Sequence, residues 1–221
     1  SLGLLVNAPL IKSSGQTIDS LTFRAGNDDD KFLYALTVNK AGSKSFMLQK
    51  TSLTGYAANN QVTAGLTIKD ADDKDKYTVG LKAAQVNKSI RINLLDSLKL
   101  DYDKWSVDTT NYILYDSTGL IIHNFAINKE GQLLQINSKE ENVNAPVDLT
   151  LKDFRIKTLT NFAEQDSLLA DGTINGTAEV REMMTNPVFT ADLNLDNITY
   201  NTDTVGNIAI KVNNQTANVF D

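Results

Sequence analysis

The sequence predicts an all-β protein built of antiparallel strands. Three observations carry that prediction. Apolar residues recur with period two through most of the chain, the pattern of strands with one apolar and one polar face. Helical spacing is found in one short stretch. Only 3 of 221 residues are Pro, which removes ladder donors, while 22 are Thr and 23 are Asn, residues that favour strands and turns respectively.

Phe32, Tyr34, Leu36 and Val38 alternate after Asn27-Asp28-Asp29-Asp30, predicting a hairpin with a strand near residues 18–23. Val62, Ala64, Leu66 and Ile68 alternate with polar or small residues, as do Tyr77, Val79, Leu81 and Ala83. The charged run at 70–76 joins these two as a second hairpin. Ile90, Ile92 and Leu94 form the next strand, and Trp105 with Val107 begins another. Tyr112 and Leu114, residues 120–127 and residues 133–136 continue the series. Val147, Leu149 and Leu151 follow, then Ile174, Ala178 and Val180, then Phe189, Ala191, Leu193 and Leu195, then Ile208, Ile210 and Val212. This predicts roughly twelve to fourteen strands about 12–16 residues apart. Ile156, Leu159, Phe162 and Ala163 have helical spacing within 152–164, predicting one short helix near 155–163. The polar segment 139–146, closed by Pro146, marks a subdivision into residues 1–140 and 147–221.

Composition excludes several function classes. The 21 Lys+Arg against 27 Asp+Glu give a net charge of −6, which argues against a nucleic-acid partner. With no Cys, disulfides, thiolate metal sites and Cys nucleophiles are excluded, and one His excludes a multi-His site. No apolar run approaches the ~18–20 residues of a membrane span, and residues 1–10 lack the basic start and continuous apolar core of a signal peptide.

The candidate chemical motifs each have a simpler structural explanation. Alternation places His123 on one face with Ile121, Phe125 and Ile127, and no carboxylate lies within four residues, so a packed or rim His is expected rather than a general base. The acidic run Asp70, Asp72, Asp73 and Asp75 resembles the start of a Ca²⁺ loop. However, the positions that need Gly and Glu are Asp75 and Leu81, which points to a solvated hairpin tip. Gly172 and Gly176 match no phosphate or dinucleotide fingerprint and read as a bulge or a close backbone approach within a strand. Four Asn-x-Ser/Thr sequons, at Asn87, Asn175, Asn197 and Asn214, are about the number that 23 Asn and 35 Ser+Thr produce by chance. Trp105, in phase with Val107, is expected in the core or as a lid. An exposed Trp105 or several exposed Tyr would instead fit the alternative function, a surface adhesion or carbohydrate-binding β-sandwich module. No catalytic, metal or cofactor-binding residue is predicted.

The order of pieces over residues 147–212 carries a resemblance. Leu168-Leu169-Ala170-Asp171-Gly172 leads into an alternating strand with Gly176. Asn186-Pro187 opens a second, which ends in Leu193-Asn194-Leu195-Asp196-Asn197-Ile198-Thr199-Tyr200, and Gly206 precedes a third. This third of the chain resembles the repeat of the TamB and AsmA-like envelope proteins. The resemblance implies a long, curled, open sheet, taco-like or half-barrel, with an apolar concave groove. It further implies a periplasmic chain, anchored in the inner membrane in full-length form, of which this would be an internal fragment. Its implied function is transfer of phospholipid, or of nascent outer-membrane strands, in outer-membrane assembly with an Omp85-type barrel partner. It implies no enzymatic activity.

Apart from the resemblance, an apolar sheet face must be covered by a second sheet or by another apolar body. The expected groove residues are Phe189, Leu193, Leu195, Ile208 and Ile210, with Leu66, Ile68, Val79 and Leu81 added from the earlier hairpin.

Overall fold

The computed structural model describes residues 3–43, 47–160, 170–201 and 203–213. These form eighteen strands and one helical turn, arranged as two antiparallel sheets that do not close into a barrel.

The first sheet runs in chain order through β1 (Gly3–Ser13), β2 (Gln16–Asp28), β3 (Lys31–Gly42), β4 (Met47–Ala58), β5 (Gln61–Lys69), β6 (Asp75–Val86) and β7 (Ser89–Leu94). Beyond β7 it continues to β11 (Tyr112–Asp116) and β12 (Gly119–His123), while β8 (Lys99–Leu100) pairs with β6 and with β9 (Asp103–Lys104). The second sheet starts with β10 (Ser106–Val107) and continues through β13 (Phe125–Lys129), β14 (Gln132–Ser138), β15 (Val147–Arg155), β16 (Ala170–Arg181), β17 (Val188–Tyr200) and β18 (Asp203–Asn213).

Local chemistry explains this meander. Two-residue turns at Ser14-Gly15, Asn59-Asn60 and Glu130-Gly131 have positive φ at both positions. That is the type I′ geometry whose twist matches the flanking strands. Asp70 organises the β5–β6 tip: its Oδ1 accepts the N–H groups of Asp72 at 2.9 Å and Lys74 at 3.0 Å, and its Oδ2 accepts the Tyr102 hydroxyl at 2.8 Å.

The core lies where the sheets meet. Leu94 of the first sheet packs with Val107, Ile127 and Phe154 of the second, with Leu98 and Trp105 from the connecting segment. Trp105 is 1 % exposed, and its ring packs against Phe154 at a tilt of 43° with centroids 5.5 Å apart.

Several expectations change in detail. Residues 152–155 belong to β15, because 147–155 pairs along β14 and β16, so the helix starts at Lys157, and its described part is α1 (Lys157–Thr160). Phe162 and Ala163 lie outside the described residues, as do Leu168 and Leu169. Residues 120–127 are not one strand. Asn124, with φ 47°, breaks the alternation, so β12 and β13 enter different sheets. The change of sheet therefore falls at Asn124, while segment 139–146 is a loop within the second sheet, closed by the Lys139 N–H on the Pro146 carbonyl at 2.8 Å. Strands β1 and β4 add to the expected series. In β4, Gly55 and Ala57 dilute the alternation because Tyr34 occupies the space above Gly55, its hydroxyl donating to the Thr63 carbonyl at 2.8 Å.

Candidate functional site

Directly paired residues of an antiparallel ladder project to the same face, so the register defines continuous rows. One apolar row crosses six strands of the first sheet: Val6, Phe23, Leu36, Leu53, Leu66 and Val79. Val79 packs against the central core. In the second sheet the row Val107, Ile127, Leu134, Leu151, Gly176, Leu193 and Ile210 leaves the same core and runs to the far edge. Beside it lies Phe154, Ile174, Leu195 and Ile208. Each sheet thus has one apolar face, covered at the centre and extended well beyond the cover.

Six of the nine predicted residues, Leu66, Val79, Leu193, Ile210, Leu195 and Ile208, fall on these rows, whereas Ile68, Leu81 and Phe189 lie in other register pairs. Leu66 pairs with Val79, Leu193 with Ile210, Leu195 with Ile208, and Phe189 with Val180. Leu66, Val79, Phe189, Leu193 and Leu195 are half-buried, while Leu81, Ile208 and Ile210 are 39 %, 39 % and 36 % exposed. Ile68 differs: at 3 % exposed, beside the equally buried Tyr77, it has no surface to offer a ligand. The first four members of the longer row, Val6 to Leu53, were not among the expected residues. The phase of Leu36 was a sequence signal for them, but β1 and β4 provided none.

Glycine keeps the second row smooth. A Cβ on Gly176 would collide with the Asp192 carbonyl, and φ there is +138°. Gly172, at φ +137°, sits at the register shift between Asp171 and Thr173, the bulge expected from the sequence.

The opposite face of the second sheet is charged but balanced. The Lys139 ammonium pairs with Glu179 and lies 3.5 Å from Asp148, Arg181 lies 3.3 Å from Glu179, and Lys211 lies 3.3 Å from Asp192. The Glu179 hydrogen bond is the main reason the Lys139 ammonium titrates above its usual range. A depression of about 370 Å³ lies among Lys139, Asp148, Glu179 and Asp192, with Thr150, Thr177 and Thr190. Its lining holds three acids and one base, and Arg181 and Lys211, paired to two of those acids, are not among the lining residues.

The remaining motifs take structural positions. His123 is not on a face with Phe125 and Ile127, since the chain changes sheet at Asn124. Its ring stacks on Tyr112 at 4.8 Å, and its Nδ1 is 3.6 Å from Glu141, a carboxylate distant in sequence. Asp73 pairs with Lys50 at 3.0 Å, so the acidic tip is engaged by the chain itself. Among the described residues no group of three or more His, Asp or Glu is placed to hold a metal ion. Trp105 is buried and cannot form a sugar platform. The exposed Tyr56, Tyr102, Tyr115 and Tyr200 lie on separate elements, and no two are paired in register. No helix among the described residues is long and apolar enough to cross a membrane.

No family model, curated protein or solved structure matches this chain.

Proposed function

We propose that this chain is a non-enzymatic segment of a bridge-like cell-envelope protein. Its apolar sheet faces carry phospholipid tails, or the apolar faces of nascent outer-membrane strands, between the inner and outer membranes. The observation that carries this reading is the continuation of both apolar rows past the central core, out to half-buried and exposed positions such as Leu36, Leu193 and Ile210.

The energetics suit a carrier. A sixteen-carbon tail leaving water gains on the order of 12 kcal/mol gross at ~0.8 kcal/mol per CH₂. Lost translational freedom and the competing bilayer reduce the net strongly. A carrier needs that near-balance, since a tail held too tightly would not move on. The resemblance of residues 147–212 to the TamB and AsmA-like repeat supports a periplasmic setting, an inner-membrane anchor in the full-length protein and an Omp85-type barrel partner.

Mass spectrometry of organic extracts of the purified protein tests the reading. Phospholipid is expected to copurify, and Leu193→Asp together with Ile210→Asp is expected to remove most of it while far-UV circular dichroism stays unchanged. Equal lipid in the folded variant, or none in the parent together with no binding of an apolar strand peptide, overturns it.

A further inference from the structure

We propose that the fold makes Asp171-Gly172 a site of spontaneous isoaspartate formation and shields Asn175-Gly176, further along the same strand, from the same chemistry.

The sequence holds one Asp-Gly pair and one Asn-Gly pair, and both lie on β16. Glycine has no Cβ to obstruct its amide nitrogen, so a side-chain carbonyl just before Gly is unusually open to attack by that nitrogen. A carboxylate resists attack until it is protonated, and at neutral pH little of it is. An unstructured chain would therefore react first at Asn175.

The structure reverses that order. The Gly172 N–H donates to Oδ1 of Asp171 at 2.8 Å, which brings the nitrogen against the carboxyl group it would attack. Gly172 stands outside the ladder on both sides. Pairing with β15 ends at Thr173, and pairing with β17 passes from Asp171 to Thr173 across the register shift. The Gly172 carbonyl accepts the Ile156 N–H at 3.0 Å, which fixes the residue in this looped position.

Asn175 is held the other way. Its Oδ1 accepts the Asp153 N–H of β15 at 2.8 Å, and its Nδ2 donates to Oδ2 of Asp196 on β17 at 3.4 Å. Gly176 pairs with Leu151 on one side and Leu193 on the other. The β17 backbone is so close that a Cβ on Gly176 would lie 2.1 Å from the Asp192 carbonyl oxygen. The carboxamide must release both neighbouring strands, and the ladder must open, before the Gly176 nitrogen can reach it. All four residues are half-buried, so access of water does not separate the two pairs.

The reaction is a dehydration followed by a hydration. The Gly172 nitrogen bonds to Cγ of the protonated Asp171 side chain, the Cγ–OH bond breaks, and the hydroxyl leaves as water with the amide proton. Water then opens the five-membered imide. Opening at Cγ restores Asp171, whereas opening at the main-chain carbonyl leaves isoaspartate, with the backbone routed through the former side chain. Nothing is oxidised or reduced. The added main-chain atom falls where the β16–β17 register already shifts, so the pairs from Thr173 onward can persist.

Peptide mapping with electron-transfer fragmentation, after prolonged warm storage of the folded chain in neutral buffer, tests the proposal. Isoaspartate is expected at Asp171, together with a form lighter by one water, while Asn175 stays intact. Asp171→Asn puts two Asn-Gly pairs on one strand, so each molecule carries its own control. In the folded variant, checked by circular dichroism, the amide introduced at position 171 should be lost at least about tenfold faster than that of Asn175. In urea the two rates should converge. Loss at Asn175 as fast as at position 171 in the folded variant overturns the proposal, as does a folded parent chain without isoaspartate at Asp171. A tenfold difference that persists in urea overturns it as well, since flanking residues and not the fold would then set the order.

Discussion

Asn111 stands in for a strand beside Leu94: its Oδ1 accepts the Leu94 N–H at 2.8 Å and its Nδ2 donates to the Leu94 carbonyl at 2.8 Å. The side chain is fully buried, and Nδ2 also donates to the Asp108 carbonyl at 2.6 Å. It therefore satisfies the last backbone groups of β7 just where that strand enters the core. Asn111→Ala leaves a buried N–H and a buried C=O without partners, each worth about 1–3 kcal/mol. A loss of about 3 kcal/mol is expected in urea titration followed by Trp105 fluorescence, with Asn111→Asp at least as damaging because it places a carboxylate beside the Leu94 carbonyl.

Trp105 is the single Trp and the largest side chain of the core. Its indole N–H is buried with no hydrogen-bond partner among the described residues. Trp105→Ala should cost about 3–5 kcal/mol through the cavity it opens beside Phe154. Trp105→Phe keeps an aromatic partner for Phe154 and removes the unsatisfied donor, so it should cost clearly less. Thermal melts of the two variants by circular dichroism check the order, and equal losses would show that packing against Phe154 is not what Trp105 contributes.

Gly55 is required by close approach, and Gly176 by close approach together with a backbone φ of +138°. A Cβ on Gly55 would collide with the Thr63 carbonyl and the Tyr34 ring, and one on Gly176 with the Asp192 carbonyl. Alanine at either site is expected to destabilise by about 2–4 kcal/mol. Adding Tyr34→Leu to Gly55→Ala should recover little, since the backbone clash with Thr63 remains.

Three carboxylates set the acid limb of stability. The Lys74 N–H, with the Tyr102 hydroxyl second, holds Asp70 below the usual carboxylate range. The Thr110 hydroxyl lowers Asp108, and the Thr118 hydroxyl lowers Asp116. A carboxylate depressed on folding contributes stability above its unfolded value, about 3.9, and loses it as pH falls through the lower folded value. The melting temperature should therefore decline as pH drops below about 4, and Asp70→Asn with Asp116→Asn should flatten that decline. Lys139, raised by Glu179, has the opposite sign: its contribution holds below the usual lysine range and is lost as pH climbs above it.

Much of this architecture was legible in the sequence because period two is a local property. The β2–β3 and β5–β6 hairpins, the strands from β14 to β18 and the bulge at Gly172 all follow from alternation and turn chemistry. The apolar phase of Leu66, Val79, Leu193 and Ile210 followed with them. The register then placed these residues on rows that no single strand could reveal, and it enlisted Val6 and Leu53 from strands with weak patterns.

Pairing partners and burial were decided by the tertiary structure. Nothing local distinguishes Ile68, which is sealed, from Leu66 two residues earlier, because the difference lies in what packs above each. The alternation through residues 120–127 continues on paper, whereas one positive φ at Asn124 sends its halves to separate sheets. His123 and Glu141 are brought together by a loop that closes at long range. The sequence alone determined which side of each strand is apolar, since that depends on neighbours one and two positions away. How much of that side remains exposed depends on contacts between distant strands, and only the folded chain decided it.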